Sequence, residues 1–335
     1  MLTKKQFIVT LSLFILGIAI IMCLKQISHH SGNLVRNADR KKQVLISSQQ
    51  ANLSLSKEEI FHHLKALAKE RYTESDRAKT RNYIIQALKA SGWSPTLQIF
   101  KDGVNIVAER SGTDPQAGKI ILAAHYDTVK SSPGVDDNAS GVATVLEVAR
   151  MLGKIPTLCT LQVVFFDLEE EGILGSLAFT KNPANLTNLK GVIVLDMVGF
   201  ACHTTGCQRY PENLAIAPPS DKGDFLTVIG DLEHLPLLKA FEQTNQTNLL
   251  PILTLPLPSK GLQVPDALRS DHAPFWYKGI GAVFVTDTAN FRSPHYHQAS
   301  DTLANIDRQF FLKSATIIAN ATATLLSSRE SLATK

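Results

Sequence analysis

Two segments with apolar residues at helical spacing open the folded part of the chain. In the first, Ser56 and Glu59 form a capping box in front of an apolar face, so each side chain is expected to satisfy a free backbone N–H of the first turn. The second segment runs over residues 75–90 and stops at Gly92. We predict two packing helices here, without chemistry of their own.

From residue 104 onward the apolar positions come in short, nearly continuous runs. Runs of Val, Ile and Leu are typical of strands that are covered on both faces, and helical segments between them indicate a largely parallel sheet. The predicted strands are residues 104–108, 119–124, 161–166, 192–195, 226–230 and 282–285. Predicted helices follow residues 138, 175 and 235, and a last helix starts near residue 306. We predict a single α/β domain over residues 55–330, with a mostly parallel central sheet and helices on both faces.

Residues 7–24 form a different kind of apolar run, because they contain no charge over 18 residues. As a helix this run is about 27 Å long, just enough to cross a bilayer. It lacks the shorter core and the small-residue cleavage site of a signal peptide. We predict a short basic tail at residues 1–6, a transmembrane signal anchor at 7–24, and a polar stalk at 25–54. The basic tail favours a domain outside the cytoplasm, at the periplasm or cell surface, although basic residues beyond the anchor weaken this charge asymmetry.

Composition narrows the function classes. The chain has 335 residues, of which 44% are hydrophobic and 19% charged, so it can bury a sizeable core. Its 34 basic and 30 acidic residues are interspersed and give a net charge of +4, without the dense basic stripe of a nucleic-acid-binding protein. We expect no nucleic-acid partner. Cys202 and Cys207 are close enough to form a disulfide in an oxidising compartment, but their spacing leaves open two free thiols.

Polar side chains follow three of the predicted strands at the point where each strand ends. His125 and Asp127 follow the first (KIILAAHYD), Glu169 and Glu170 the second (VVFFDLEEEG), and Asp196 the third (GVIVLDMVG). Because ligands of open α/β sheets bind at the carboxyl ends of the strands, we expect these side chains to meet at one edge. Clustered carboxylates repel one another and are costly to bury unless a cation holds them. The sequence therefore predicts a cation site.

Two further segments add ligands to this set. GVDDNASG places Asp137 at the mouth of a helix, and HYHQASD places His297 in a loop after the last strand. Imidazole and carboxylate groups together are typical zinc ligands. Their number exceeds what one zinc ion needs, whereas a two-metal site with ions about 3.5–4 Å apart uses them all. In that arrangement His125 and Asp196 bind one ion, Glu170 and His297 bind the other, and Asp137 bridges them.

Five motifs, in their order and spacing, resemble the secreted bacterial dizinc aminopeptidases, a family related to glutamate carboxypeptidases and glutaminyl cyclases. They are AHYD, GVDDNASG, DLEEEGILGS, LDMVG and HYHQASDT, and the resemblance runs from about residue 104 to the C-terminus. It implies a zinc-peptidase fold, two zinc ions per chain and peptide substrates. The ligands that it implies are His125, Asp137, Glu170, Asp196 and His297.

The resemblance also implies roles for acids that are not ligands. Glu169 corresponds to the general base, and Asp127 to the carboxylate behind the first histidine, so both are expected to serve catalysis. Asp271, in RSDHAPF, corresponds to a residue near the substrate amine or behind the site, although a helix-start acid would look the same. The glutamate triplet permits two registers, and the GILGS ending favours Glu169–Glu170 over Glu170–Glu171.

The activity that the resemblance implies is release of N-terminal residues from peptides by a metal-bridging hydroxide. Two alternatives remain on the same scaffold. A glutaminyl cyclase would share most ligands, but cyclases usually carry a T-D-S-A run where this chain has D-D-N-A-S-G. A carboxypeptidase would need a basic pocket, for which Arg269 and Arg292 are candidates. A binding protein without activity should have lost a ligand or the base, and none is missing. The sequence gives no oligomeric state.

Overall fold

Helices and strands alternate along the described part of the chain, largely as the apolar pattern predicts. The structure is a computed structural model, and it describes residues 55–334 apart from 213, 215–218 and 245–248. The helices are α1 (Lys57–Leu67), α2 (Glu74–Ala90), α3 (Gly141–Leu152), α4 (Leu174–Lys181), α5 (Pro183–Leu186), α6 (Leu235–Thr244), α7 (Ala273–Tyr277) and α8 (Arg308–Leu326).

The predicted capping box at the start of α1 is half formed. Ser56 Oγ accepts a hydrogen bond from the Glu59 backbone N–H at 3.2 Å. The Ser56 N–H, however, donates to Glu147 Oε1 at 2.6 Å rather than to Glu59. Because Glu147 is fully buried in α3, this bond ties the start of α1 to α3 on the same face of the sheet.

The strands form one eight-stranded sheet. They are β1 (Thr96–Ile99), β2 (Val104–Arg110), β3 (Lys119–His125), β4 (Thr160–Phe166), β5 (Leu189–Leu195), β6 (Leu226–Asp231), β7 (Ile252–Leu257) and β8 (Ala282–Thr286). The order across the sheet is β1-β2-β4-β3-β5-β8-β6-β7. The central pairs β4-β3, β3-β5 and β5-β8 are parallel, as predicted. The pairs β1-β2, β2-β4 and β8-β6 are antiparallel, so the sheet is mixed towards its edges.

Side chains of the central strands alternate between two cores, one on each face of the sheet. In β3, Ile120 and Leu122 join the larger core, which α1, α3, α6 and α8 cover. Ile121 and Ala123 join a smaller core that α4 and α7 cover, for example through Phe179. This alternation is the two-residue period of a strand. It confirms the predicted α/β domain with helices on both faces, and the described residues fall in one compact unit.

The predicted anchor cannot be compared with the structure. The tail, anchor and stalk (residues 1–6, 7–24 and 25–54) lie outside the described residues. No helix within the described residues has the length and apolar character to cross a membrane. The anchor, and with it the location outside the cytoplasm, stays a prediction.

The structure decides the state of the described cysteines. Cys202 and Cys207 form a disulfide with an S–S distance of 2.08 Å, shortly after β5. Cys159 is a buried free thiol at the start of β4. Of the two alternatives that the spacing left open, the structure has the disulfide.

Asp167, the first acid of the DLEEEG segment, holds α2 against the sheet. Its side chain is fully buried, and its Oδ1 lies 2.8 Å from Nε of Arg77. Its Oδ2 accepts a hydrogen bond from the Val104 backbone N–H at 2.9 Å and lies 3.6 Å from Nη1 of Arg81. Asp167 therefore has cationic partners of its own and does not belong to the metal-type cluster.

We expect Asp167→Ala to lower the free energy of unfolding by about 3–5 kcal/mol, because removing one partner leaves a buried charge uncompensated. Urea unfolding followed by circular dichroism measures this loss. Asp102→Ala, at an exposed turn, is the matched control and should change stability by less than about 0.5 kcal/mol. A loss below about 1 kcal/mol for Asp167→Ala would contradict the structural role, since surface ion pairs already reach that value.

Candidate metal centre

The metal-type side chains meet at the carboxyl edge of the three central strands. β4, β3 and β5 are parallel neighbours, so their carboxyl ends lie side by side. The residues that these ends present are His125 of β3, Glu169 and Glu170 after β4, and Asp196 after β5. The other two residues reach the same place on connections, Asp137 from the helical turn Val135–Ser140 and His297 from the loop after β8.

Asp137 lies at the centre of the cluster, between the two histidines. Its Oδ1 is 3.4 Å from Nε2 of His125, and its Oδ2 is 3.2 Å from Nε2 of His297. Nε2 of His125 is also 3.5 Å from Oδ1 of Asp196, and Nε2 of His297 is 3.0 Å from Oε2 of Glu170. Two groups of three residues therefore share Asp137, namely His125, Asp137 and Asp196, and Asp137, Glu170 and His297. A third group consists of His125, Glu169 and Glu170.

The donor atoms of this cluster fit zinc. Several are buried without a hydrogen-bond partner among the described residues, namely both ring nitrogens of His125, Nε2 of His297 and Oε1 of Glu170. Such atoms are costly to bury unless they bind something. Two atoms that each lie about 2.0–2.1 Å from one tetrahedral zinc ion are about 3.3 Å apart, which is close to the separations found here.

The charges of the cluster are strongly coupled. Burial raises the pKa of Asp137, but the neighbouring imidazoles of His125 and His297 outweigh burial and hold the value below its ordinary range. Burial raises the pKa of Glu170 to about 7, and Asp137 contributes to the rise. Burial lowers the pKa of His297, but Asp137 and Glu170 outweigh it and raise the value to about 10. The carboxylates thus favour protonated imidazoles, and a metal ion would have to displace these protons.

The cluster opens into a cavity of about 110 Å³. Part of the cavity wall is apolar, and its residues include Ile229, Leu253, Leu255, Leu257, Val264 and Phe284. Another part is polar and carries Arg209, Tyr210, Arg269, Asn290 and Tyr296. The site can therefore receive a molecule that has both an apolar side chain and a charged or polar group.

Glu169 reaches the cavity beside the two groups. Its Oε2 is 4.0 Å from Nε2 of His125, and its side chain is 8% exposed. Burial raises the pKa of Glu169 well above its ordinary value, an effect that His125 opposes and Asp196 reinforces. Glu170 lines the same cavity, whereas Glu171 is exposed. The structure thus places Glu169 and Glu170 at the cavity, the pair that the favoured register of the triplet selects.

Asp127 connects His125 to the turn that carries both glutamates. Its Oδ1 accepts a hydrogen bond from the Glu169 backbone N–H, and its Oδ2 accepts one from the Glu170 backbone N–H, both at 3.1 Å. Oδ1 also lies 3.4 Å from Nδ1 of His125. Leu168, the residue before Glu169, has a φ of 57°. The turn therefore adopts a backbone conformation that bulky residues rarely take. Asp127 therefore orients three neighbours of the cavity at once.

Asp271 is fully buried and is not among the residues that line the cavity. Burial raises its pKa to about 7, while the charge of His125 acts to lower it. This placement is behind the site, as one of the predicted interpretations has it, and gives no support to direct contact with a substrate amine. Asp136, next to Asp137 in the same helical turn, is also buried, and its Oδ1 accepts a hydrogen bond from the Gly199 N–H at 2.8 Å.

Asp301 holds the Asp137 segment, a role that the sequence did not show. Its Oδ1 accepts a hydrogen bond from the Asp136 N–H at 2.8 Å, and its Oδ2 accepts one from the Asp137 N–H at 3.0 Å. The HYHQASD motif places Asp301 near the site without saying what it binds. Both of its oxygens are used to fix backbone, so Asp301 positions the central carboxylate.

Arg71, in the connection between α1 and α2, is a second residue that sequence reasoning missed. Its guanidinium group is fully buried and donates hydrogen bonds to backbone carbonyls of Tyr126 at 2.8 Å, Gly134 at 2.8 Å and Asp137 at 3.4 Å. Further bonds go to Leu67 O at 2.6 Å, Lys69 O at 2.8 Å and Pro133 O at 2.9 Å. Arg71 thus ties the connection between β3 and α3, which carries Asp137, to the end of α1. No motif marks this arginine in the sequence.

The two arginines predicted as candidates for a carboxylate pocket differ in placement. Arg269 lines the cavity. Arg292 is 4% exposed and donates to Gln208 Oε1 at 2.8 Å and to Phe225 O at 2.9 Å. Arg292 therefore serves the interior of the protein.

A comparison with protein families shows the family to which the chain belongs. The model described as Peptidase family M28 matches residues 105–322, which is more than half of the chain and includes every member of the metal-type cluster. The chain belongs to peptidase family M28. This confirms the resemblance that the five motifs indicated, and it makes the chain a member of a peptidase family.

Relatives and solved structures agree with M28 membership. The uncharacterized protein YfbL of Escherichia coli K12 is 33% identical over 224 residues, which cover 61% of this chain and 66% of YfbL. The matches span two thirds or less of the length of these curated relatives.

The LapA aminopeptidase structure of Legionella pneumophila has a TM-score of 0.67 at 18% identity, over 86% of this chain and 76% of LapA. A glutaminyl cyclase structure from Porphyromonas gingivalis has a TM-score of 0.61 at 20% identity, over 81% of this chain and 98% of the cyclase. At these identities the two structures show the fold.

Proposed function

We propose that this M28 chain is an aminopeptidase that uses two zinc ions to hydrolyse the N-terminal peptide bond. One observation carries the proposal: Asp137 presents one oxygen to each of two histidines, to His125 at 3.4 Å and to His297 at 3.2 Å. A carboxylate in this position can bridge two ions, as in two-metal hydrolases. A single ion would leave the buried nitrogen atoms of one histidine without a partner.

The ligand roles follow from the two groups. His125 and Asp196 would hold one ion, Glu170 and His297 would hold the other, and Asp137 would contribute to both. Zinc bound there supplies Lewis acidity, which polarises the peptide carbonyl and lowers the pKa of water toward about 7.

Glu169 moves the proton. Its carboxylate accepts a proton from the attacking water while the water oxygen bonds to the carbonyl carbon. When the carbon–nitrogen bond breaks, Glu169 donates that proton to the amine nitrogen of the leaving peptide. Asp127 fixes the position of Glu169 through the hydrogen bond to its N–H at 3.1 Å.

Glutaminyl cyclisation is the second candidate, because the structure matches nearly the whole length of a bacterial cyclase. Two features support hydrolysis instead. The chain carries the D-D-N-A-S-G run of the aminopeptidases, and all five ligands of a two-ion site lie together. LapA, with the higher TM-score, is named an aminopeptidase.

A substrate panel with metal analysis tests this function on the full chain. We expect release of N-terminal residues from aminoacyl anilides and short peptides, two zinc ions per chain, loss of activity with a chelator and recovery with zinc. Pyroglutamate formed from a Gln-initiated peptide, without hydrolysis of the panel, would instead support the cyclase. A chain that binds no zinc would contradict both functions.

A further inference from the structure

Two arginines line the cavity beside the metal-type cluster, and the proposed hydrolysis uses neither of them. Arg209 Nη2 donates to the backbone carbonyl of Asn290 at 2.6 Å, and Arg269 Nη1 donates to Asn290 Oδ1 at 3.1 Å. Two guanidinium groups thus meet at one residue of the cavity wall. Arg209 is exposed and Arg269 is 45% exposed, so both guanidinium groups are accessible to an anionic ligand.

Among the described residues, Asp266 is the carboxylate within ion-pair distance of this pair, although carboxylates of the metal-type cluster line the same cavity. Asp266 Oδ1 lies 3.4 Å from Arg269 Nη1, but both side chains are about half exposed, at 40% and 45%, so the pair is weak. Within the described part of the chain, no carboxylate oxygen lies within 4.0 Å of the Arg209 guanidinium group. Arg269 therefore has one exposed carboxylate partner, and Arg209 has none among the described residues.

Arg269 is also held close to the proposed reaction centre. Its Nη2 donates to Tyr296 Oη at 3.0 Å, and the Tyr296 ring stacks on His297 with a centroid distance of 3.7 Å. One side chain thus separates the guanidinium group from a proposed zinc ligand. Because hydrogen bonds to Asn290 and Tyr296 already fix Arg269, binding an anion costs it little further order.

The chemistry of the cavity selects the anion. The apolar part of the wall suits a side chain and cannot pair with a guanidinium group. Arginine binds carboxylates particularly well, through two parallel hydrogen bonds from its planar fork. In a peptide whose scissile bond lies at the cluster, a carboxylate that reaches Arg269 must belong to one of the first residues after that bond.

We propose that Arg209 and Arg269 bind the C-terminal carboxylate of dipeptides and tripeptides, and that such short peptides are the preferred substrates. This rests on the proposed aminopeptidase function. The site would then read both ends of its substrate, with the apolar wall receiving the N-terminal side chain and the arginines receiving the free carboxyl group. Longer peptides would lose the second contact.

The test compares matched substrates with the full chain. Leu-Ala and Leu-Ala-amide differ in the terminal carboxylate alone, and Leu-Glu-amide and Leu-Gln-amide differ in a side-chain carboxylate alone. We expect kcat/KM to be about 10- to 100-fold higher for Leu-Ala than for its amide, the factor that one or two charge-assisted hydrogen bonds supply. The second pair should differ by less than about threefold.

Arg209→Gln and Arg269→Gln should each reduce the Leu-Ala preference by about tenfold, since each removes one cation from the carboxylate. The preference is a ratio within one variant, so a general loss of activity or of folded protein cancels. Arg110→Gln, at an exposed position at the end of β2, is the matched control and should keep the wild-type ratio.

The outcomes separate the two proposals. Hydrolysis of both dipeptide forms at equal rates, or a preference that survives both arginine changes, would overturn the carboxylate site and leave the aminopeptidase function standing. An arginine-dependent preference for Leu-Glu-amide alone would keep the carboxylate site and replace the terminal carboxyl group with an acidic side chain. Absence of hydrolysis of every substrate would count against the aminopeptidase function itself.

Discussion

Glu169→Gln should keep two zinc ions per chain and lose about 10²- to 10⁴-fold in kcat/KM, the range that a positioned general base contributes. The amide is nearly the same size as the carboxylate but cannot accept the proton of the attacking water. Glu169 Oε2 is 4.0 Å from Nε2 of His125, farther than the ligand atoms of the two groups, so its removal leaves those groups intact. Steady-state kinetics and zinc analysis on the same preparation measure both parts.

The other two residues of the glutamate triplet provide matched controls. Glu170→Gln should lose zinc, because Glu170 Oε2 lies 3.0 Å from Nε2 of His297 in one ligand group. Glu171→Gln should behave like the wild type, because Glu171 is exposed. Full activity of Glu169→Gln would contradict the general-base role. Zinc loss in Glu169→Gln together with zinc retention in Glu170→Gln would exchange the two roles.

Asp137→Asn should remove both ions rather than one. Its two oxygens face different histidines, so the change weakens both groups, and we expect apparent zinc affinity to fall by more than about 100-fold, beyond the range seen for residues behind the ligands. Metal that binds the folded protein stabilises it, so the rise in melting temperature on adding zinc should also be lost. Zinc titration by calorimetry and thermal unfolding with and without zinc measure the effect.

Asp102→Asn, at an exposed turn, is the control and should keep both the affinity and the zinc-dependent rise in melting temperature. A variant of Asp137 that still binds two ions with the original affinity would show that the two groups bind metal independently. A variant that retains one tightly bound ion would place Asp137 in a single group. Either result would remove the bridging role on which the two-ion proposal depends.

The central strands could be predicted because burial on both faces requires a continuous run of apolar residues. β3, β4 and β5 read as continuous apolar runs, and the polar residues that follow them stand out. The edge strands β1 and β7 lack such a continuous run of buried residues. β1 has exposed Leu97 and Ile99, and β7 contains Pro256, which cannot donate to a neighbouring strand and is typical of an edge. Neither strand was predicted.

The same physical reason separates the predicted site residues from the missed ones. The five ligand residues and Glu169 carry side chains whose chemistry is recognisable at a strand end or in a motif. Asp301 and Arg71 act on backbone groups, namely the N–H groups of the Asp137 segment and the carbonyls of the connections. A backbone contact between distant segments depends on the fold, and an arginine or aspartate in a loop most often faces water. The HYHQASD motif placed Asp301 near the site without showing what it binds, and no motif marked Arg71.

The hydrogen bonds of Arg71 connect the candidate metal centre to residues that precede the family match. The family match begins at residue 105, and an expression boundary drawn there would discard α1, α2 and Arg71. The carbonyl groups of Tyr126, Gly134 and Asp137 would then lose a common buried donor, and the interior beside them would open to solvent. α1, α2 and the connection between them therefore support the candidate metal centre, although none of their residues lines the cavity.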